Sequence, residues 1–199
     1  MRVDVTDFER RYRADEDPWR FGTSLYEQFR YDSIVEAVGG RTYQRAFEPG
    51  CSVGVLTARL ASIAEHVVAV DASPAAISAA SRRVAALGNV DLHVGTLPEW
   101  WPAGDFDLLV FSELGYYWDI PGLDDLLSRL AGLLRPGGVL VAVHWLGSSP
   151  DHLLSGHAVH ARLRRRFGPS TRREEWVRPS RGTERASADR FVIERWETA

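Results

Sequence analysis

The sequence predicts a doubly wound α/β fold built on a mostly parallel sheet. Short apolar segments alternate with segments of helical composition along most of the chain. Strands buried on both faces have continuous apolar sequences, and consecutive parallel strands need helical crossovers. Because these crossovers are right-handed, helices are expected on both faces of the sheet. The length of 199 residues suggests one domain over residues 1–199.

Two helices are expected before the alternating region begins. The first follows from three apolar residues at helical spacing, Val5, Phe8 and Tyr12. The second runs from about Leu25 to Val38 and ends at Gly39-Gly40. Since residues 1–40 carry aromatic side chains and precede the core at 41–199, we expect them to form a helical lid.

The core elements follow from apolar runs and from helix-capping signals such as Ser73-Pro74. Strands are predicted at residues 43–47, 66–70, 90–94, 106–111 and 139–143. Helices are predicted at residues 53–64, 74–87, 122–134 and 150–167. Two further strands, at 172–178 and 189–196, are expected to form a hairpin across Pro179-Ser180-Arg181-Gly182.

Composition and charge exclude several classes of protein. The net charge of −3 gives no electrostatic footprint for nucleic acid. No apolar run approaches the roughly 18 residues of a membrane-spanning helix, and the charged N-terminus lacks the apolar region of a signal peptide. A single cysteine, Cys51, excludes an internal disulfide, and no zinc-ligand spacing occurs, so no metal site is expected. The sequence therefore predicts a cytoplasmic protein, either a monomer or a homodimer.

The junction between the first strand and the first core helix carries the main functional signal. It contains Gly50 and Gly54, and small residues there let the backbone approach a ligand closely. Asp71 follows Gly50 by 21 residues, at the end of the second strand, where a carboxylate can accept both hydroxyls of a ribose. Ser52 and Val55 break the G-x-G-x-x-G spacing, which disfavours the pyrophosphate site of a nicotinamide dehydrogenase.

At these residues the chain resembles the class I S-adenosylmethionine-dependent methyltransferases. Glu48-Pro49-Gly50-Cys51-Ser52-Val53-Gly54 fits their E-x-G-x-G-x-G motif with Ser in the middle place, and Asp71 falls on their acidic ribose ligand. Leu134-Arg135-Pro136-Gly137-Gly138 fits their L-x-P-G-G turn. The resemblance implies a Rossmann-like, seven-stranded sheet with an antiparallel last strand, and S-adenosyl-L-methionine as cofactor.

A narrower resemblance is to the nodulation protein S (NodS-like) methyltransferases, which N-methylate the amino sugar of a chitooligosaccharide. The similar stretches are Asp17-Pro18-Trp19, Ser24-Leu25-Tyr26-Glu27, the loop 48–57, Ser112-Glu113-Leu114-Gly115-Tyr116-Tyr117, His144-Trp145 and 154–160. The resemblance implies a methyl acceptor that is an amino sugar or a related amine. The fold also serves O-methylation of polar metabolites and non-catalytic, cofactor-binding regulators, and the sequence leaves these alternatives open.

The resemblance also implies which residues hold the cofactor. Those expected at the methionine and ribose are Glu48, Gly50, Cys51, Ser52, Gly54, Asp71 and Ser112. Those expected at the adenine are Ala72, Thr96 and Leu97, although Gly95-Thr96 departs from the Asp that many class I enzymes have at this point. Trp19 and Tyr26 are expected to close over the sulfonium as aromatic faces.

The acceptor side is expected at the carboxyl ends of the fourth and fifth strands, where ligands of open α/β sheets bind. Glu113 is predicted to orient a cationic amine or to take its proton, and His144 is a candidate base because its ordinary pKa lies near neutrality. Tyr117, Tyr116 and Trp145 are expected to line the acceptor. His152, His157 and His160 share one predicted helix, where substrate contact is an alternative to a solvated surface.

Overall fold

The computed structural model describes residues 4–177 and 190–198, so the predicted turn at Pro179-Ser180-Arg181-Gly182 lies outside the described residues. The helices are α1 (Thr6–Ala14), α2 (Leu25–Val38), α3 (Val55–Leu60), α4 (Pro74–Val84), α5 (Ile120–Leu133) and α6 (Gly156–Phe167). The strands are β1 (Tyr43–Pro49), β2 (Ala64–Asp71), β3 (Val90–Val94), β4 (Phe106–Ser112), β5 (Leu134–Trp145), β6 (Arg172–Val177) and β7 (Arg190–Glu197). A short 3-10 helix, Gly115–Tyr117, follows β4.

The strands form one seven-stranded sheet in the order β3-β2-β1-β4-β5-β7-β6. Strands β1 to β5 are parallel, whereas β7 pairs antiparallel with β5 and with β6. The predicted doubly wound sheet and its antiparallel last strand are therefore confirmed. Strand order reverses at β1 and β4, the point at which open α/β sheets bind their ligands.

Successive residues of the central strands point to opposite faces of the sheet, and both faces are apolar. On one face Leu108 and Val110 pack with residues of α2 and α3, including Ile34 and Leu60. On the other face Leu109 and Phe111 pack with the leucines of α5 and with α6. This arrangement explains why the fourth strand reads as an uninterrupted apolar run.

The main departure from the predicted elements lies before α6. The sequence predicts a helix over residues 150–167, but α6 begins only at Gly156, where Ser155 caps it by accepting a hydrogen bond from the Ala158 N–H. The backbone N–H groups of Leu153 and Leu154 instead donate to the carbonyl of Tyr116. This segment therefore packs on the 3-10 helix rather than extending α6.

None of the helices in the described ranges is long and apolar enough to cross a bilayer.

Gly54 explains the close approach of α3 and α4. Its φ of +75° lies in the left-handed region, and a Cβ added there would come within 2.9 Å of Ala80 Cβ. A side chain at this position would therefore meet both backbone strain and a steric clash.

We expect Gly54→Ala to lower the free energy of unfolding by about 2 kcal/mol, because the new methyl group overpacks the α3–α4 contact. The matched control is Gly132→Ala in α5, where nothing lies within 4 Å of an added Cβ. Urea unfolding followed by circular dichroism measures both. Equal stability of the two variants would contradict this account of Gly54.

Candidate active site

A cavity of about 340 Å³ opens at the carboxyl ends of the parallel strands. Its walls come from the strand ends and loops of the core and from α1, α2 and the segment between them. The volume lies in the usual range for small-molecule sites. The lining of the cavity differs between its two parts. Loop backbone and small side chains line the part near β1 and β2, whereas aromatic and charged side chains line the part beyond β4.

Asp71 is fixed in the first part by backbone donors on both sides. Its Oδ2 accepts from the Ser52 N–H at 2.9 Å, and its Oδ1 accepts from the Ser73 N–H at 2.9 Å. Burial raises the pKa of Asp71, while these donors act in the opposite direction. The carboxylate is held at the end of β2 with lone pairs left to accept from ligand hydroxyls.

The loop after β1 forms a cradle without bulky side chains. Gly50 has a φ of +75°, and a Cβ there would come within 3.0 Å of Leu114 Cδ1. The N–H groups of Gly50 and Cys51 both donate to the carbonyl of Val70, at 2.7 and 3.0 Å. Ser52 also has a positive φ, of 52°, which turns the chain toward Asp71.

The structure separates the predicted cofactor residues into three groups. The cavity wall includes Trp19, Tyr26, Gly50, Ser52, Asp71, Ala72, Thr96 and Leu97. A smaller cavity of about 40 Å³ behind the loop is lined by others of the set, Glu48, Cys51 and Ser112. Gly54 lines neither cavity and lies against Ala80, so its contact with the cofactor stays a prediction.

Glu48 is a buried carboxyl group that receives a hydrogen bond from Thr57 Oγ1 at 2.6 Å. Burial raises the pKa of Glu48 to about 8. The group is therefore neutral at pH 7 and holds the start of α3 against the end of β1, rather than offering a negative charge to a ligand.

Glu113 is held at the centre of the aromatic part of the cavity. Its Oε1 accepts from the Trp145 N–H at 2.6 Å, and its Oε2 accepts from the Tyr116 hydroxyl at 2.6 Å. The same Oε2 lies 2.6 Å from Nη1 of Arg30, a side chain that is only 2% exposed. Arg30 also pairs with Glu27. Because both oxygens are engaged, the geometry suits Glu113 to orienting a cation rather than to removing its proton.

His144 lies outside the wall of the cavity and is fully buried. Its Nε2 accepts from the Gly115 N–H at 3.0 Å, and its Nδ1 lies 3.1 Å from Nε2 of His160. Nδ1 of His160 in turn lies 2.6 Å from a carboxylate oxygen of Glu194. Burial lowers the pKa of His144 well below its ordinary value. This geometry disfavours the predicted role of His144 as a base, because Nε2 holds the 3-10 helix through Gly115 and Nδ1 is engaged by His160.

Tyr117 lines the cavity, as expected, and packs edge-on against Phe8 of α1 with ring centroids 5.0 Å apart. Burial raises the pKa of Tyr117, so its phenol stays protonated near neutral pH. A protonated phenol can donate a hydrogen bond to an acceptor molecule but cannot act as its base. Trp145 lies in the same wall.

Helix α1 covers the cavity through contacts spread along its length. The Tyr12 hydroxyl donates to Ser52 Oγ at 2.6 Å, and Arg11 pairs with Asp151 at 3.4 Å. Glu9 Oε2 accepts from the Ser73 hydroxyl at 2.6 Å and from the Ala75 N–H at 3.1 Å, at the start of α4. These contacts tie α1 to the loop after β1, to the start of α4 and to the segment before α6.

Residues 2–163 of this chain match the family model of nodulation protein S (NodS). The chain belongs to the NodS family. It is 27% identical over 154 residues to nodulation protein S of Sinorhizobium fredii, covering 76% of this chain and 65% of that protein. It is 30% identical over 152 residues to nodulation protein S of Bradyrhizobium diazoefficiens, covering 74% of this chain and 71% of that protein. The chain thus spans about two thirds of these relatives.

A solved structure shows the same fold. The N-methyltransferase NodS from Bradyrhizobium japonicum WM9, in complex with S-adenosyl-L-homocysteine, matches with a TM-score of 0.84 at 22% identity. The match covers 98% of this chain and 97% of that chain. The Rossmann-like fold of the class I methyltransferases, implied by the sequence motifs, is therefore the fold of this protein.

Several residues of this NodS-family site were missed in the sequence. Arg30 and Glu27 lie three residues apart on α2, a spacing that predicts an ion pair, but nothing in the sequence places the pair beside Glu113. Arg11 and Asp151 meet only because α1 folds over the segment before α6. His152 is different, because the sequence offers substrate contact for it as an alternative, although within a helix; it lies instead in the non-helical segment before α6, in the cavity wall, and stacks on Tyr116.

We expect Glu48→Gln to change the pH dependence of stability. A carboxyl whose pKa is raised to about 8 from the ordinary 4.5 contributes stability that is complete below pH 4.5 and declines as pH rises toward 8. Gln keeps the acceptor for Thr57 and cannot ionise. The stability of the variant relative to the parent should therefore increase with pH by up to about 1.4 kcal/mol per unit in this range.

Urea unfolding between pH 5 and pH 8 measures this difference. The matched control is Glu65→Gln, which changes an exposed carboxylate of β2. Parallel pH profiles for the parent and Glu48→Gln would show that Glu48 is ionised in the folded protein and that its assignment is wrong.

We also expect α1 to open and close over the cavity. Tyr12→Phe removes the hydrogen bond to Ser52, worth about 1 kcal/mol, and should speed tryptic cleavage at the arginines of α1 several-fold. S-adenosylhomocysteine should slow cleavage of the parent chain. Tyr43→Phe is the control, since its hydroxyl bonds to Val38 at the far side of the sheet. Cleavage that is insensitive to Tyr12→Phe and to ligand would exclude a mobile lid.

Proposed function

We propose that this protein is an S-adenosylmethionine-dependent methyltransferase that N-methylates a small amine, with an amino sugar as the favoured acceptor. The observation that carries the proposal is the continuity of one cavity from the Asp71 cradle to the Glu113 cluster. The end at Asp71 suits a nucleoside, and the end at Glu113 suits a cationic molecule that also has apolar surface. In this proposal residues 1–199 form one domain, and residues 1–40 are its lid.

The cradle fits the cofactor of the family. Asp71 offers carboxylate oxygens for ribose hydroxyls, and Gly50 and Ser52 keep the space above the strand ends open. Ala72, Thr96 and Leu97 line the same end of the cavity, where backbone groups can read an adenine edge. When bound, S-adenosylmethionine supplies a methyl group already activated by its positive sulfur.

The acceptor end supports an amine over an anion. Three carboxylates, those of Glu27, Glu113 and Asp151, line it with the aromatic side chains of Tyr117 and Trp145. The guanidiniums of Arg11 and Arg30 lie in the same wall and pair with these carboxylates, so the acidic groups outnumber the basic ones by one. Carboxylates and aromatic faces attract a protonated amine, and aromatic rings stack on the apolar faces of sugars. The chain's part in the reaction is to align the acceptor and to exclude water beneath α1.

The NodS relatives support N-methylation, because the solved Bradyrhizobium japonicum protein is an N-methyltransferase. O-methylation of a polar metabolite and cofactor binding without turnover are the alternatives that the experiment must separate. Neither has a feature of the site in its favour.

We expect S-adenosylhomocysteine to bind in isothermal titration calorimetry, with NAD as the negative control. Asp71→Asn should weaken binding by about 100-fold, since hydrogen bonds to a charged group are worth about 1.5–3 kcal/mol each. Asp125→Asn, on the exposed face of α5, should bind like the parent. Equal affinity of Asp71→Asn and the parent would contradict the assigned cradle.

Methyl transfer is then assayed with D-glucosamine and with D-glucose, which differ in one amino group. Transfer to glucosamine alone supports the proposed amine acceptor. Transfer to glucose at a comparable rate would favour O-methylation. Tight binding of S-adenosylhomocysteine without transfer to a panel of amines and alcohols would favour a regulatory role.

A further inference from the structure

An amine acceptor must lose a proton before it can attack, because an ammonium group has no lone pair. Neither of the bases expected from the sequence is suited to this step. His144 lies outside the cavity wall, and both carboxylate oxygens of Glu113 are engaged. The proton acceptor must therefore be sought among the other groups of the cavity wall, as far as the structure describes it.

Most of these other groups are unsuited as well. Burial raises the pKa values of Tyr12, Tyr116 and Tyr117, so their phenols remain protonated. The remaining carboxylates have partners already: Asp71 accepts two backbone N–H groups, Glu27 pairs with Arg30, and Asp151 pairs with Arg11. Arginine side chains stay protonated and cannot accept.

His152 brings an imidazole into the same wall. Its ring stacks on Tyr116 with centroids 3.8 Å apart and an interplanar angle of 15°. The rings of Tyr117 and Trp145 lie nearly perpendicular to it, with centroids at 5.4 and 6.0 Å. The ring is thus held between the residues that line the proposed acceptor end.

The backbone fixes this position independently of the stacking. The His152 N–H donates to the carbonyl of Ser149 at 3.1 Å, and the next N–H, that of Leu153, donates to the carbonyl of Tyr116 at 2.8 Å. These bonds are the reason that the segment does not extend α6. Within residues 4–177 and 190–198, no side chain or backbone group hydrogen-bonds to the ring nitrogens of His152.

The charged groups around His152 suit an imidazole that is neutral at first and becomes positively charged when it takes up a proton. Burial lowers the pKa of His152, and the carboxylates of Asp151 and Glu113 act in the opposite direction. The other titratable groups around it are Tyr116 and Tyr117, which stay protonated, His144 on β5, and Arg11, which pairs with Asp151. The lowered pKa favours the neutral imidazole, and the carboxylates of Asp151 and Glu113 stabilise its protonated form.

We propose that His152 is the catalytic base that takes the proton from the amine acceptor. The inference rests on the proposed N-methyltransferase function. An N–H bond of the ammonium breaks, its electron pair stays on the amine nitrogen, and the proton forms a new N–H bond on the imidazole. The imidazolium then returns this proton to solvent after the lid opens, so the base is regenerated in each cycle.

The first test does not depend on turnover. In a proton NMR titration, the His152 imidazole signal is assigned by its loss in His152→Asn. We expect it to titrate below the ordinary histidine value of about 6.5, which leaves the ring neutral at pH 7.5. A ring that is still protonated at pH 7.5 would overturn the proposal, since it could accept nothing.

The second test is the pH profile of methyl transfer to D-glucosamine. His152→Asn should lower kcat at pH 7 by about 100-fold and leave the affinity for S-adenosylhomocysteine unchanged. The rate of the variant should recover toward high pH, where the free amine becomes abundant without a base. The control is His157→Asn, an exposed histidine of α6, which should behave like the parent.

The outcomes separate this inference from the proposed function. A variant His152→Asn with the kcat and pH profile of the parent would overturn the role of His152 while the methyltransferase remains. A uniform loss of kcat at every pH would assign His152 a positioning role and would also overturn the inference. A parent protein that binds S-adenosylhomocysteine but methylates no amine would overturn both proposals together.

Discussion

The charged, aromatic end of the cavity depends on one buried guanidinium. Arg30 is 2% exposed and lies between Glu27 of its own helix and Glu113 at the end of β4. A buried charge is tolerated only when it is paired and hydrogen-bonded, and removing one partner of such a pair costs about 3–5 kcal/mol. The position of α2 on the sheet is therefore coupled to the position of Glu113.

The same carboxylate organises the residues that follow it. Glu113 has a φ of 57°, a conformation that is costly for a side chain of this size and is maintained by its surroundings. The Tyr116 hydroxyl and the Trp145 N–H bind its two oxygens. Through Tyr116, the network reaches His152 and the segment before α6. One charge on α2 thereby sets the geometry of three separate chain segments.

The fold was largely predictable because its signals are local. Ser73 caps α4 as its sequence suggests, and the apolar run of β4 follows from burial on both faces of the sheet. The conformation of the loop after β1 was also predictable, since Gly50 adopts a positive φ and Asp71 ends β2. The side-chain contacts at the charged, aromatic end of the cavity were not predictable. The sequence shows that His144 follows a strand end, but not that its nitrogens are engaged by Gly115 and His160.

The position of His152 in the cavity wall was also not predictable from the sequence. The residues next to His152 in sequence predict a helix. The N–H groups of Leu153 and Leu154 instead donate to the carbonyl of Tyr116, which lies 36 residues before His152. Side chains that meet across loops depend on tertiary contacts that periodicity does not encode. The residues missed in the site, among them Arg11 and Arg30, are all of this kind.

Contacts between the side chains of His144, His160 and Glu194 connect β7 to the 3-10 helix beside the cavity. Glu194 lies on β7, beyond residue 163, where the similarity to the NodS family model ends. Its carboxylate binds His160, which orients His144 beneath the 3-10 helix. A change at Glu194 would therefore remove the partner of His160 and, through His160, loosen the ring of His144 that holds Gly115. A residue of the last strand in the chain thus acts on the position of the 3-10 helix after β4.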